Sequence, residues 1–111
     1  MPRCRLTAAA DRDIEQISDY IALDDPEAAR QFVSRLRERC ESLAFTPLAG
    51  RSYPELGWEV RRVPFEGSYL IFYRPEQSGV TVLNVKHGAM RPETIRKQVR
   101  RSRTDHDRKS S

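Results

Sequence analysis

His87 and three arginines are the residues of this sequence best suited to chemistry. His87 ends a predicted strand, and Arg61, Arg62 and Arg74 lie in the two predicted strands before it. Imidazole exchanges protons near neutral pH, and guanidinium groups stabilise charge that builds on a phosphate. If the four side chains converge, they would suit a ribonuclease that cleaves by attack of a 2′-hydroxyl. The alternative is a histidine that hydrogen-bonds at a strand end, beside arginines on a solvated face.

Other catalytic and metal-binding patterns are missing from the sequence. No lysine cluster or tyrosine accompanies His87, and the chain has no paired carboxylates, P-loop or GxSxG motif. Cys4 and Cys40 lack CxxC spacing, so we interpret them as buried free thiols and not as a disulfide or a zinc site. We therefore expect no metal and no cofactor, and we favour a protein that is not an enzyme.

The N-terminal half of the sequence predicts one strand and two helices. Arg3–Leu6 has the pattern of a short strand, and Thr7 can cap the helix that follows. The apolar stripe of that helix is Ala10, Ile14, Ile17 and Ile21. Asp25 can cap a second helix, with Pro26 in its first turn and an apolar stripe that continues to Leu43. The short connection predicts an antiparallel helical hairpin.

The second half predicts a meander of three antiparallel strands, at 58–65, 69–74 and 80–87. The middle strand is apolar on both faces, which is typical of a central strand covered on each side. The fold class expected is therefore α+β with β-α-α-β-β-β order, a helical hairpin packed in two layers on a small, mostly antiparallel sheet.

A helical hairpin can cover only one face of that sheet, so we expect a partner to cover the other. Phe72 is assigned to the core, and the remaining aromatic and basic residues of the meander are candidates for partner binding. These candidates are Trp58, Arg61, Tyr69, Tyr73, Arg74 and His87.

Positive charge is concentrated in the C-terminal segment. Residues 1–90 hold twelve Lys+Arg and thirteen Asp+Glu, whereas residues 91–111 hold eight and three, a net of +5. We divide the chain into a domain at 1–91 and a basic segment at 92–111, with a short helix at 92–103, disorder from Arg101, or both. Contact of this segment with nucleic acid is an alternative function. No apolar run is long enough to span a membrane and no signal peptide is visible, so a cytoplasmic location is expected.

The order and spacing of several short blocks over about residues 3–91 resemble a known family. The blocks are Arg5-Leu6-Thr7, Asp13-Ile14, Tyr20-Ile21, Asp25-Pro26-Glu27-Ala28-Ala29, Leu43-Ala44, Pro47, Gly50-Arg51, Glu55-Leu56, Val60-Arg61, Tyr69-Leu70-Ile71-Phe72-Tyr73-Arg74, Val82-Leu83-Asn84-Val85 and His87-Gly88. Together they resemble the RelE/ParE superfamily of toxins from type II toxin–antitoxin pairs, on the ParE side.

This resemblance implies a fold like the one above and a toxin that a ParD-like antitoxin neutralises. It also implies growth arrest through inhibition of DNA gyrase by binding. RelE-type members are instead ribosome-dependent mRNA endonucleases that use basic residues with a tyrosine or histidine. Arg62 and His87 would fill part of that set, but its lysines and terminal tyrosine are absent here. The mRNA endonuclease is the first alternative, and a nucleic-acid-binding module that uses the basic tail is the second.

Overall fold

Five strands and three helices form the fold in the computed structural model, which describes residues 1–57 and 59–110. The strands are Arg3–Leu6 (β1), Arg51–Ser52 (β2), Arg61–Phe65 (β3), Tyr69–Glu76 (β4) and Gly79–His87 (β5). The helices are Ala8–Ala22 (α1), Pro26–Phe45 (α2) and Pro92–Ser110 (α3), and a short 3₁₀ turn spans Pro54–Leu56.

Strand β4 lies at the centre of the sheet, as predicted. The strand order is β1-β5-β4-β3-β2, and only the β1–β5 pair is parallel among the described strands. β1 pairs with the first half of β5 alone, from Gly79 to Val82. Gly79 has φ of 143°, and a Cβ there would lie 1.9 Å from the Arg3 carbonyl oxygen. The close pairing of β1 with β5 at this position therefore requires glycine. The second half of β5 therefore has no strand beside it on that edge.

The helical hairpin packs on one face of the sheet, and both predicted caps are present. The Thr7 hydroxyl accepts from the Ala10 amide at 3.0 Å and donates to the Leu83 carbonyl at 2.9 Å. The Asp25 carboxylate accepts from the first-turn amides of α2. The core beneath the hairpin includes Phe32, Leu36, Leu43, Val63, Ile71, Tyr73, Val82 and Val85. The α+β class is confirmed.

The opposite face of the sheet is covered by the chain itself, so the prediction of an open face is wrong. Helix α3 packs Ile95 and Val99 against Phe72 and Leu83 of the sheet. Leu56 and Val60 complete this second core. Two apolar side chains from the helix are enough because the 3₁₀ segment before β3 supplies the rest of the cover.

Helix α3 is also longer than predicted, since it continues through the stretch that composition marks as disordered. Its later turns are held by polar contacts, which a count of apolar residues does not reveal. A second correction concerns β3, which begins at Arg61 and not at residue 58; Val60, just before it, is buried in the second core. Trp58 lies outside the described residues. None of the helices in the described part of the chain is long and apolar enough to cross a membrane.

Candidate functional site

The four residues proposed for ribonuclease chemistry do not converge. His87 stands opposite Tyr69 at one end of the β4–β5 ladder, and Arg74 stands opposite Thr81 near the other end. Thr81 and His87 are six residues apart along β5, which is roughly 20 Å of strand. Arg61 and Arg62 are adjacent in β3 and so project from opposite faces of the sheet.

Each arginine of this set already has a partner within the protein. Arg61 donates to the Gly50 carbonyl at 2.8 Å, and the Arg62 guanidinium lies 4.8 Å from the centre of the Tyr53 ring. Arg74 is paired with carboxylates, described below. These contacts leave no common point at which the three guanidinium groups would meet one phosphate.

His87 is exposed at the end of β5. Its Nδ1 accepts from the Ala89 amide at 3.0 Å, so the neutral ring carries its proton on Nε2. The ring packs edge-on against Tyr69, with 5.2 Å between the centroids. This arrangement matches the strand-end role that the sequence left open as the alternative to catalysis.

Tyr73 is fully buried, which corrects its placement on an uncovered face. Its ring lies in the core beneath the helical hairpin, and its hydroxyl accepts from the Gly50 amide at 2.7 Å and donates to the Pro47 carbonyl at 2.8 Å. Burial raises the pKa of Tyr73, although the Gly50 hydrogen bond and the nearby Arg61 act in the opposite direction. The hydroxyl thus fastens the irregular loop after α2 to the central strand.

Replacing Tyr73 with phenylalanine is expected to lower the free energy of unfolding by about 1–3 kcal/mol, because the Gly50 amide loses its partner in a dry site. Urea unfolding measures this loss. Tyr69→Phe is the matched control on the same strand and face, since the Tyr69 hydroxyl has no hydrogen-bond partner among the described residues. Equal losses in both variants would contradict this role for the Tyr73 hydroxyl.

Arg74 belongs to a set of charged side chains between the sheet and the end of α3, which we call the α3 clamp. Its members are Glu59, Arg74, Glu76, Arg103, His106 and Asp107. Arg74 pairs with Asp107 and lies 3.6 Å from both Glu59 and Glu76. Burial alone lowers the pKa of Arg74, but the three carboxylates outweigh it and raise that pKa. Arg74 therefore anchors α3 and is mostly withdrawn from the surface.

His106 and Glu76 form the outer contact of the α3 clamp, with 2.9 Å between Nε2 and Oε1. Burial raises the pKa of Glu76, but hydrogen bonds from Thr81 and His106 and the charge of Arg74 prevail and lower it. Sequence reasoning missed the clamp because its acids come from three separate segments. The one signal in the sequence is that two acids, Asp105 and Asp107, stand among the basic residues of the C-terminal segment, where they could pair with arginines.

A second buried charged group, the Asp13 cluster, consists of Asp13, Asn84 and Lys86. The Asp13 carboxylate accepts from the Lys86 ammonium at 2.8 Å, the Asn84 amide at 2.9 Å and the Val85 backbone amide at 3.0 Å. All three side chains are nine-tenths or more buried. Asp13 lies beside the part of β5 that β1 does not reach. Its side chain, which comes from α1, accepts the hydrogen bond of the Val85 amide on that free edge.

Some basic residues of α3 face the rest of the protein, and others face solvent. Arg96 lies 3.9 Å from Glu55, Arg100 donates to the Glu55 carbonyl, and Arg103 belongs to the α3 clamp. Lys97 and Arg101 are exposed on the outer side. Part of the positive charge of the segment is therefore used to hold the helix to the protein.

Comparison with known proteins gives a family and a similar solved structure. The family model described as ParE toxin of type II toxin–antitoxin system, parDE, matches residues 4–92. A chain of the chromosomal ParDE toxin–antitoxin system from P. aeruginosa is similar in fold, with a TM-score of 0.65 and 24% identity over 78% of this chain and 96% of that one. No curated protein matches the sequence.

The family match ends at Pro92, the first residue of α3, so the rest of this helix lies outside it. The matched part holds the sheet except for Arg3, the first residue of β1, and it includes the helical hairpin and the Asp13 cluster. It covers well over half of the sequence, and the blocks noted above fall within it. The chain therefore belongs to the ParE toxin family of type II toxin–antitoxin systems.

Proposed function

We propose that this toxin arrests growth by binding DNA gyrase, without chemistry of its own, and that a ParD-like antitoxin neutralises it. The observation that carries the proposal is the separation of His87 from Arg61, Arg62 and Arg74. Membership of the ParE family supports both the kind of target and the kind of partner.

Phosphodiester cleavage needs several groups within hydrogen-bond distance of one phosphate and its leaving oxygen. In this chain the candidate groups are spread over roughly 20 Å of strand and over both faces of the sheet. The guanidinium groups that would face the phosphate are held by Gly50, Tyr53 and the α3 clamp. A protein that acts by occupying a surface of its target has no such requirement.

The predicted partner-binding set is reduced by burial. Tyr73 is in the core, and Arg74 is 15% exposed within the α3 clamp. Arg61, Tyr69 and His87 reach the surface, at least in part, on the meander. We propose that these three contribute to binding, whereas the apolar face beneath α3 does not.

One experiment distinguishes gyrase inhibition from the ribonuclease alternative. Plasmid topology and mRNA integrity are measured together after the toxin is induced in a bacterial host. Gyrase inhibition predicts plasmids that lose negative supercoils while mRNA stays intact during the first minutes. Cleaved mRNA with unchanged plasmid topology would contradict the proposal and favour a RelE-like endonuclease. Induction of a frameshifted gene is the control for expression stress.

Neutralisation predicts that growth returns when the antitoxin is co-expressed. The reading frame adjacent to this gene is the one to co-express, provided that it encodes a DNA-binding N-terminus and an amphipathic C-terminus. Purification of a stable complex of the two chains would support the partnership. Continued growth arrest with both proteins present in equal amounts would contradict it.

The nucleic-acid alternative now depends on the outer side of α3, because several inner arginines are engaged. Charge reversal at Lys97 and Arg101 tests it without disturbing the second core. If the toxin acts through nucleic acid, the double variant should lose affinity for a DNA duplex and show a flatter salt dependence. Unchanged growth arrest in that variant would contradict the nucleic-acid alternative.

A further inference from the structure

Cys4 and Cys40 line the same small cleft between the edge of the sheet and helix α2. Cys4 is the second residue of β1 and packs against the core beneath the hairpin, while Cys40 is on the inner side of α2. Both line a narrow cleft of about 50 Å³, together with Leu6, Ile14, Arg37 and Glu41. Neither cysteine has a role in the proposed function, and both are reduced in this structure.

The two thiols differ in access and in ease of ionisation. Cys4 is partly exposed, whereas Cys40 is 3% exposed. The nearby Cys40 side chain lowers the pKa of Cys4 through hydrogen bonding, in spite of the partial burial of Cys4 and the nearby Glu41. The same contact and burial raise the pKa of Cys40. Cys4 is therefore the thiol that ionises first and meets solvent, and Cys40 is the buried thiol of the same cleft.

We propose that Cys4 and Cys40 form a reversible disulfide, which fastens β1 to α2 when a hydroperoxide is present. The cleft supplies the two features that this reaction needs, a partly exposed attacking thiol and a second thiol that lines the same small space.

The reaction balances with hydrogen peroxide as the oxidant. The Cys4 thiolate attacks one peroxide oxygen, the O–O bond breaks, and Cys4 becomes a sulfenic acid as hydroxide leaves. The Cys40 sulfur then attacks the Cys4 sulfur, the S–O bond breaks, and water leaves with the Cys40 proton. In total, two thiols and one hydrogen peroxide give one disulfide and two waters. A small thiol reductant reverses the reaction by thiol–disulfide exchange.

The bridge would join the start of the chain to the last third of α2. It closes a loop that contains the whole of α1 and most of α2. A bridge across a loop of this length restricts the unfolded chain and is expected to raise the unfolding temperature by roughly 10 °C. The stability of the toxin would then depend on the redox state of its surroundings.

The test uses the full chain, reduced and then treated with a small excess of hydrogen peroxide. Intact mass and peptide mapping should show the loss of two hydrogens and one bridged Cys4–Cys40 peptide pair. Thermal unfolding should move upward by roughly 10 °C and return after dithiothreitol. Oxidation that leaves both thiols free, that produces only intermolecular dimers, or that carries Cys4 on to sulfinic acid would overturn the proposal.

Two single variants assign the roles of the sulfurs. In Cys40→Ser the sulfenic acid at Cys4 has no partner thiol, so dimedone should label it in high yield, whereas the wild type should show little label. In Cys4→Ser the buried Cys40 should stay unmodified at the same peroxide concentration. Equal dimedone labelling of Cys40 in Cys4→Ser would contradict the order of attack. The wild-type mass measurement does not depend on either variant folding.

Discussion

Replacing Asp13 with alanine is expected to lower the free energy of unfolding by about 3–5 kcal/mol. The variant would leave the Lys86 ammonium and the Val85 backbone amide buried without the carboxylate that they share. Urea or thermal unfolding of the purified variant measures the loss. Asp11→Ala is the matched control, because Asp11 is exposed in the first turn of the same helix.

A second substitution shows how much of the lost stability comes from leaving the Lys86 charge buried without a partner. Lys86→Met in the Asp13→Ala background removes the buried charge and should recover part of the lost stability. If Asp13→Ala were no more destabilising than Asp11→Ala, the Asp13 cluster would not support the β5 edge, and its assignment would be contradicted.

Removal of α3 by truncation after Arg91 is expected to have the second large effect. It would expose Leu56, Val60, Phe72 and Leu83 to water and remove every α3 partner of Arg74. Uncovering a contiguous apolar sheet face should cause aggregation or unfolding at temperatures where the full chain is stable. Light scattering and thermal unfolding of the two proteins measure it.

Point variants of α3 keep this prediction testable if the truncated chain cannot be purified. Val99→Ala should cost about 1–3 kcal/mol because it leaves a cavity over Phe72, whereas Lys97→Ala on the outer side should change stability by less than about 0.5 kcal/mol. Equal stability of the full and truncated chains would contradict the role of α3 as the cover of the second face.

The helical hairpin and the central strand were predictable because the evidence for them is local. Thr7 and Asp25 are capping residues at the correct spacing, and the apolar stripes have helical period. The central strand shows apolar residues on both faces, and that pattern correctly predicted two covering layers. It could not predict that the chain provides the second layer, because only Ile95 and Val99 mark α3 as a helix with a buried side.

The candidate site was harder to predict because it depends on contacts between distant segments. The sequence placed Arg61, Arg62, Arg74 and His87 on the correct strands, but convergence depends on register and on the face from which each side chain projects. Asp13 and Lys86 pair across 73 residues, and no local pattern indicates that pairing. Arg74 was predicted to be a surface residue, whereas the structure pairs it with Asp107 of the distant helix α3.

The most direct test of action by binding is a supercoiling assay with purified components. Purified DNA gyrase, relaxed plasmid and ATP are mixed with the folded full-length toxin, and ribosomes and RNA are left out. We predict that supercoiling is lost as the toxin concentration rises, and that a stable gyrase–toxin complex can be isolated. Unimpaired supercoiling at a large molar excess of toxin, with mRNA cleaved in a parallel translation reaction, would contradict the proposed function.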